Sequence, residues 1–165
     1  MRLVLALILL LLSPPLAQAQ SPRIERIDIV EPGLYQRTVV AKSGVNTAGG
    51  DSTTTSNVKL VAATTTVPAR VGTIFGFHYK VSGQLAGAKV ELRVVARIPP
   101  PGFPNKATHQ LMRSIEWTTD STIGGQGYTD GKFEEPAELV TGTWVLELWY
   151  QGRKFADQQF TVVKP

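Results

Sequence analysis

The sequence predicts an all-β chain, folded as an antiparallel β-sandwich, and three observations carry that reading. Between Ala88 and Ile98 the even-numbered positions are Ala, Val, Leu, Val, Ala and Ile, while Lys89, Glu91, Arg93 and Arg97 occupy odd ones. A period of two places the first set on a core face and most of the second in water. No amphipathic helical period persists beyond two turns, although Thr, Val, Gly and Pro are plentiful. Candidate strands recur roughly every 8–12 residues with Gly/Pro punctuation, which is sandwich spacing. The architecture is immunoglobulin-like, without the paired cysteines of antibody domains.

The N-terminus precedes that pattern. Arg2 supplies a positive start, Leu3 to Leu12 is an unbroken apolar run, and Ala17-Gln18-Ala19 sets small residues where a signal peptidase reads. This is the layout of a cleavable secretory signal. The run is about half the roughly 20 residues that span a bilayer, and Pro14-Pro15 stops a helix from extending it. Residues 1–19 are therefore expected to be a signal peptide and residues 20–165 a single sandwich domain, periplasmic or secreted from a bacterium, with no stable membrane anchor after cleavage.

Along the mature chain, Ile24–Val30 and Leu34–Ala41 read as strands separated by Glu31-Pro32-Gly33. Thr47–Asn57, rich in Gly, Ser and Thr, reads as a mobile loop. Val58–Val67 reads as a strand closed by Pro68. Thr73–Val81 directs Phe75, Phe77, Tyr79 and Val81 to one side, and Gly83–Gly87 then suggests an antiparallel pair with Ala88–Ile98. Pro99–Asn105 is a stiff, partly polyproline loop. His109–Trp117 reads as a further strand, followed by a glycine-rich excursion at Gly124, Gly125 and Gly127.

The strongest hairpin is C-terminal. Thr143–Tyr150 and Lys154–Val163 flank Gln151-Gly152, where glycine supplies the positive φ of a tight turn. Trp144, Leu146 and Leu148 share the inward face of the first arm, and Glu147 and Trp149 share the outward one. The apolar face of the second arm switches between Phe155 and Phe160, which predicts a bulge near Ala156 or Asp157.

Composition excludes several chemistries. The 165 residues contain no cysteine, which removes thiol catalysis, cysteine-ligated zinc and a lipidated N-terminal cysteine. Neither Asn46, Asn57 nor Asn105 opens an N-glycosylation triplet. The net charge of +4 is scattered. Lys89, Arg93 and Arg97 share a strand face, but Glu91 interrupts them, and nucleic-acid binding is not expected.

Several segments carry a family resemblance: Gly72-x-x-x-Gly76-Phe77, the Pro99–Pro104 turn, Glu138-Leu139-Val140, Gly142-Thr143-Trp144, Trp149-x-x-Gly152-Arg153-Lys154 and Gln159-Phe160-Thr161-Val162. In that order they resemble a family of exported bacterial proteins known only as a domain of unknown function. The resemblance implies an envelope-located all-β domain and brings no catalytic residues with it.

Candidate sites are sparse. His78 and His109 are the two histidines, with no Gly-x-Ser-x-Gly elbow, so a Ser–His–Asp arrangement is not expected. Asp130, Glu134, Glu135 and Glu138 form an acidic stretch split by Pro136, read as a solvated loop rather than a calcium site. Asp120, Asp130, Glu134 and Glu135 are the loop carboxylates that a glycosidase would use. Gly124-Gly125-Gln126-Gly127 lacks the Lys-Ser/Thr ending of a phosphate loop and reads as a turn. No cofactor, metal or catalytic residue is assigned.

Aromatic residues are the remainder: Trp149, Phe103, Tyr128 and Trp117 are the candidate partner or ligand surface. Outward Trp149 is expected to lie under the Pro-rich segment, covered by Phe103, with partner contact or sugar stacking as the alternatives. The chain thus reads as a non-catalytic exported interaction or accessory module, whose partner is an envelope protein meeting an edge strand. The alternative is a carbohydrate- or small-ligand-binding module of the cell envelope.

Overall fold

The computed structural model describes residues 21–47, 50–105 and 107–165, with backbone alone for 39–47 and 50–55. The expected signal peptide lies outside the described residues. Among the described residues eleven strands follow in chain order: β1 (Arg23–Thr47), β2 (Gly50–Ala62), β3 (Thr66–Pro68), β4 (Ile74–Gln84), β5 (Lys89–Arg97), β6 (Phe103–Pro104), β7 (Leu111–Met112), β8 (Ser114–Thr122), β9 (Gln126–Lys132), β10 (Gly142–Tyr150) and β11 (Arg153–Val163). One layer has the order β2-β1-β4-β9 and the other β3-β11-β10-β5-β8, while β6 and β7 form a separate two-stranded ribbon. All pairs are antiparallel except β3 with β11.

The core lies between the layers where alternation places it. Phe75, Phe77, Tyr79 and Val81 of β4 face Val90, Leu92, Val94 and Ala96 of β5 and Trp144, Leu146 and Leu148 of β10, all buried. Phe75 is the centre of an aromatic cluster, 5.2 Å from both Phe133 and Phe160 and 6.0 Å from Trp144. Each such edge or tilted ring pair adds about 0.5–1.5 kcal/mol beyond the area it buries.

Several expectations about elements need correction. Ile24–Val30 and Leu34–Ala41 are one strand, because Glu31 adopts a left-handed φ of 51° and the extra residues bulge out while pairing with β4 resumes at Gly33. The expected loop Thr47–Asn57 is strand wherever it is described: Thr47 belongs to β1 and residues 50–57 belong to β2, which pairs back onto β1. The run of Thr53, Thr54 and Thr55 has the β-branched stiffness that favours a strand. Val58–Val67 is split, since Ala63–Thr65 carries the chain from one sheet to the other. Finally, β4 and β5 are not partners. Leu85 (φ 65°) and Gly87 (φ 87°) turn the chain across the sandwich, so the two strands lie in opposite layers.

The C-terminal hairpin has the expected turn, with Gln151 and Gly152 both at positive φ. Its bulge falls at Phe155, one residue before the expected span, because Leu148 pairs with Ala156 and Trp149 with Lys154. His109–Trp117 is also interrupted: β7 pairs with β6 before β8 begins at Ser114.

Candidate functional site

The four candidate aromatics do not converge. Phe103 is buried and stacks on Trp144 at 6.2 Å with an interplanar angle of 22°. The Pro-rich segment therefore closes one end of the core and does not cover Trp149, contrary to expectation. The indole explains the difference: Trp144 donates its N–H to the carbonyl of Val140 at 2.8 Å, which leaves a ring face at the sandwich end for Phe103. Trp117 of β8 packs against the core on the inner face, opposite Val94. Tyr128 stands on β9, in the other layer.

Trp149 lies on the outer face of the β5–β10–β11 layer, half-buried within a charged ladder. Its N–H donates to Glu147 Oε2 at 2.9 Å, and the Arg93 guanidinium sits 5.0 Å from its ring centroid. Arg93 in turn pairs with Glu116 on β8 at 2.9 Å. Glu147 also accepts from Arg97 at 3.2 Å and faces Lys154 at 3.8 Å. Beneath this lattice Val95 is fully buried although it points away from the core. One face of the indole is thus occupied by a cation of the same chain, a cation–π contact.

The outer face of the β1–β4–β9 layer holds a second group. The rings of Tyr35, His78 and Tyr128 touch one another, with centroids 5.7, 5.0 and 5.0 Å apart. Tyr128 donates to Asp130 Oδ2 at 2.8 Å, and Arg37 donates to the same carboxylate at 2.5 and 3.4 Å. Tyr35 donates to the carbonyl of Glu31. Burial first, then the nearby Glu31 carboxylate, pushes the Tyr35 phenol up to about 12. Burial, followed by the charge and hydrogen bond of Asp130, pushes Tyr128 up as well. Both phenols stay protonated at neutral pH, where they act as donors and not as nucleophiles.

The acidic stretch is ordinary capping: Glu138 accepts from the backbone N–H of Glu134 at 2.6 Å and of Glu135 at 3.3 Å around a 3-10 turn. Asp130 is a strand residue of β9 and not a loop carboxylate. Among the described residues no three His, Asp or Glu side chains come together as a metal site requires.

The edges differ in exposure of their main chain. β3 is three residues long and ends in Pro68. β8 carries exposed Glu116 and Asp120, and β9 is seven residues long and ends in exposed Lys132. β2 runs for 13 residues, and no described strand pairs with its outer side. Val61, near its end, is 55% exposed. Nothing in the sequence singled out Val61, Tyr35 or Arg37, and Asp130 stood out only as part of an acidic stretch, because Arg37 on β1 and Asp130 on β9 are 93 residues apart in the chain.

A family model described as "Domain of unknown function (DUF3859)" matches residues 23–162. The chain belongs to this family. The DUF3859 match opens on the first residue of β1 and ends one residue before β11 does, so it spans both layers. The chain is also similar to an immunoglobulin-like protein from Pseudomonas aeruginosa solved by crystallography. The two are 26% identical over 89% of this chain and 99% of that one, with a TM-score of 0.55. This DUF3859 domain is an immunoglobulin-like antiparallel β-sandwich. No curated protein matches the chain.

Proposed function

We propose that this protein is a non-catalytic, exported interaction module that accepts a strand from another protein along the free edge of β2. The observation that carries the reading is Val61, an apolar side chain left open on the longest unpaired edge. Native sheets normally blunt their edges with charge, proline, bulges or short length. β3, β8 and β9 do so here, and β2 is guarded by Lys59 and by a bulge at Asn57 (φ 52°) just before Val58. From Val58 to Ala62 its backbone offers a strand the hydrogen bonds of a ladder, and Val61 offers it a side-chain contact.

The non-catalytic part is supported by the histidines. His78 is packed between two tyrosine rings and His109 is exposed in a turn, and among the described residues neither ring hydrogen-bonds a hydroxyl. Export is supported by the sequence of residues 1–19 and is checked by cell fractionation with N-terminal sequencing, which should find Gln20 first.

The test of the edge uses a photo-crosslinking residue at position 61, with position 111 as control, since Leu111 is 62% exposed on a different ribbon. Position 61 should capture a defined partner and position 111 should not. In protein without the crosslinker, Val61→Lys should abolish co-purification of that same partner while altering stability by no more than about 0.5 kcal/mol. Equal capture from both positions, or co-purification indifferent to Val61→Lys, would rule the reading out.

A further inference from the structure

We propose that Arg37, Asp130 and Tyr128 form a latch that ties the β1–β2 hairpin to the far strand of its own sheet and so sets the direction in which the hairpin leaves the sandwich. The last residue of β1 to pair with β4 is Tyr35, opposite Ile74. From Gln36 to Thr47 the described partner of β1 is β2 alone. A two-stranded ribbon is marginal in water without a third strand or a packed face. Arg37 lies two residues beyond that last pair, where the hairpin needs an attachment.

The attachment skips a strand. Arg37 reaches past β4 to Asp130 on β9, at 2.5 Å from Nε to Oδ2 and 3.4 Å from Nη2 to Oδ1. The side chains are 9% and 13% exposed, unlike the other ion pairs between described residues, each of which has at least one partner about 40% exposed or more. Gly76 pairs with both Gly33 and Asp130, so β4 has no side chain at that level. A Cβ on Gly76 would stand 2.2 Å from the Thr129 carbonyl and 2.9 Å from Asp130 Cβ. Tyr128 donates to the same Oδ2 that accepts from Arg37 Nε, and Tyr35 packs against the Tyr128 ring at 5.0 Å. A paired, water-poor carboxylate and guanidinium lose far more than a surface pair when one partner is neutralised.

Amide hydrogen exchange on the full chain reads the latch. Asp130→Asn should speed exchange in residues 36–62 by roughly tenfold or more, with residues 90–96 of β5 unchanged. Tyr128→Phe, which removes one hydrogen bond and no charge, should give a smaller rise in the same residues and keeps the question answerable if Asp130→Asn unfolds. Exchange that stays within about twofold of wild type in both variants, or that rises equally in 90–96, overturns the latch. The latch rests on the edge reading only for what it serves. Failure of the exchange test removes the latch and leaves the β2 edge, whereas failure of crosslinking at Val61 removes the edge and leaves the latch.

Discussion

Trp149 donates its indole N–H to Glu147 Oε2 at 2.9 Å, two residues back along the same face of β10. The bond makes Glu147 the meeting point of three strands, because Arg97 of β5 and Lys154 of β11 converge on the same carboxylate. An outward tryptophan is thereby turned from a free surface into part of a lattice that seals Val95.

Glu147→Gln keeps an acceptor for the indole but leaves Arg97 without its counter-charge. The variant should lose about 1–3 kcal/mol in urea denaturation, and the tryptophan emission should change with it. An unchanged midpoint would show that the carboxylate is ordinary surface charge.

Phe103 closes the core end by stacking on Trp144. Phe103→Ala should cost about 3–5 kcal/mol, whereas Leu111→Ser on the partner strand of the same ribbon should stay within about 0.5 kcal/mol. If the two variants melt together, the Pro-rich segment is not part of the core.

Two buried hydroxyls should behave oppositely. Among the described residues Thr129 Oγ1 is buried without a hydrogen-bond partner, while Tyr79 shares a 2.7 Å hydrogen bond with Ser121 inside the sandwich. Thr129→Val, which keeps the shape, should be neutral or stabilising by up to about 1 kcal/mol. Tyr79→Phe orphans Ser121 and should cost about 1–3 kcal/mol. Denaturant titration of the pair decides it, and a destabilised Thr129→Val would mean that its hydroxyl has a partner after all.

Alkaline stability follows from the phenols. Tyr35 is raised from 10.0 to about 12, mainly by burial, and Tyr79 and Tyr128 are raised in the same direction for the same first cause. Ionisation is harder in the fold than in the unfolded chain, so the Tyr35 contribution is complete below about pH 10 and is lost as pH climbs through about 12. Tyr35→Phe should flatten part of that decline in melts taken across the window. A decline of the same steepness in the variant would assign the alkaline sensitivity to other groups.

Which side chains enter the core was legible wherever alternation was clean. β4, β5 and the first arm of the C-terminal hairpin bury the residues that their period of two selects, and Trp144 lies inside as its neighbours require. The exception on β5 is Val95, an odd position buried from the opposite side by Arg93, Arg97, Glu147 and Trp149. Alternation within β5 could not anticipate it, since the cover is completed by Glu147 and Trp149 of β10. Glu31-Pro32-Gly33 illustrates a second limit: local turn chemistry signals a departure from extended backbone, but a bulge and a true break share it.

Taken alone, the sequence determined that the chain after its apolar N-terminal run is built of strands, which faces of β4, β5 and β10 turn inward, and where the last hairpin turns, because those properties depend on residues within a few positions of one another. Tertiary structure decided that β4 and β5 lie in opposite layers, that Phe103 stacks on Trp144 and not Trp149, and that Arg37 meets Asp130. Those outcomes depend on strands far apart in the chain competing for the same neighbours. A pattern with a period of two specifies a face and leaves the partner open.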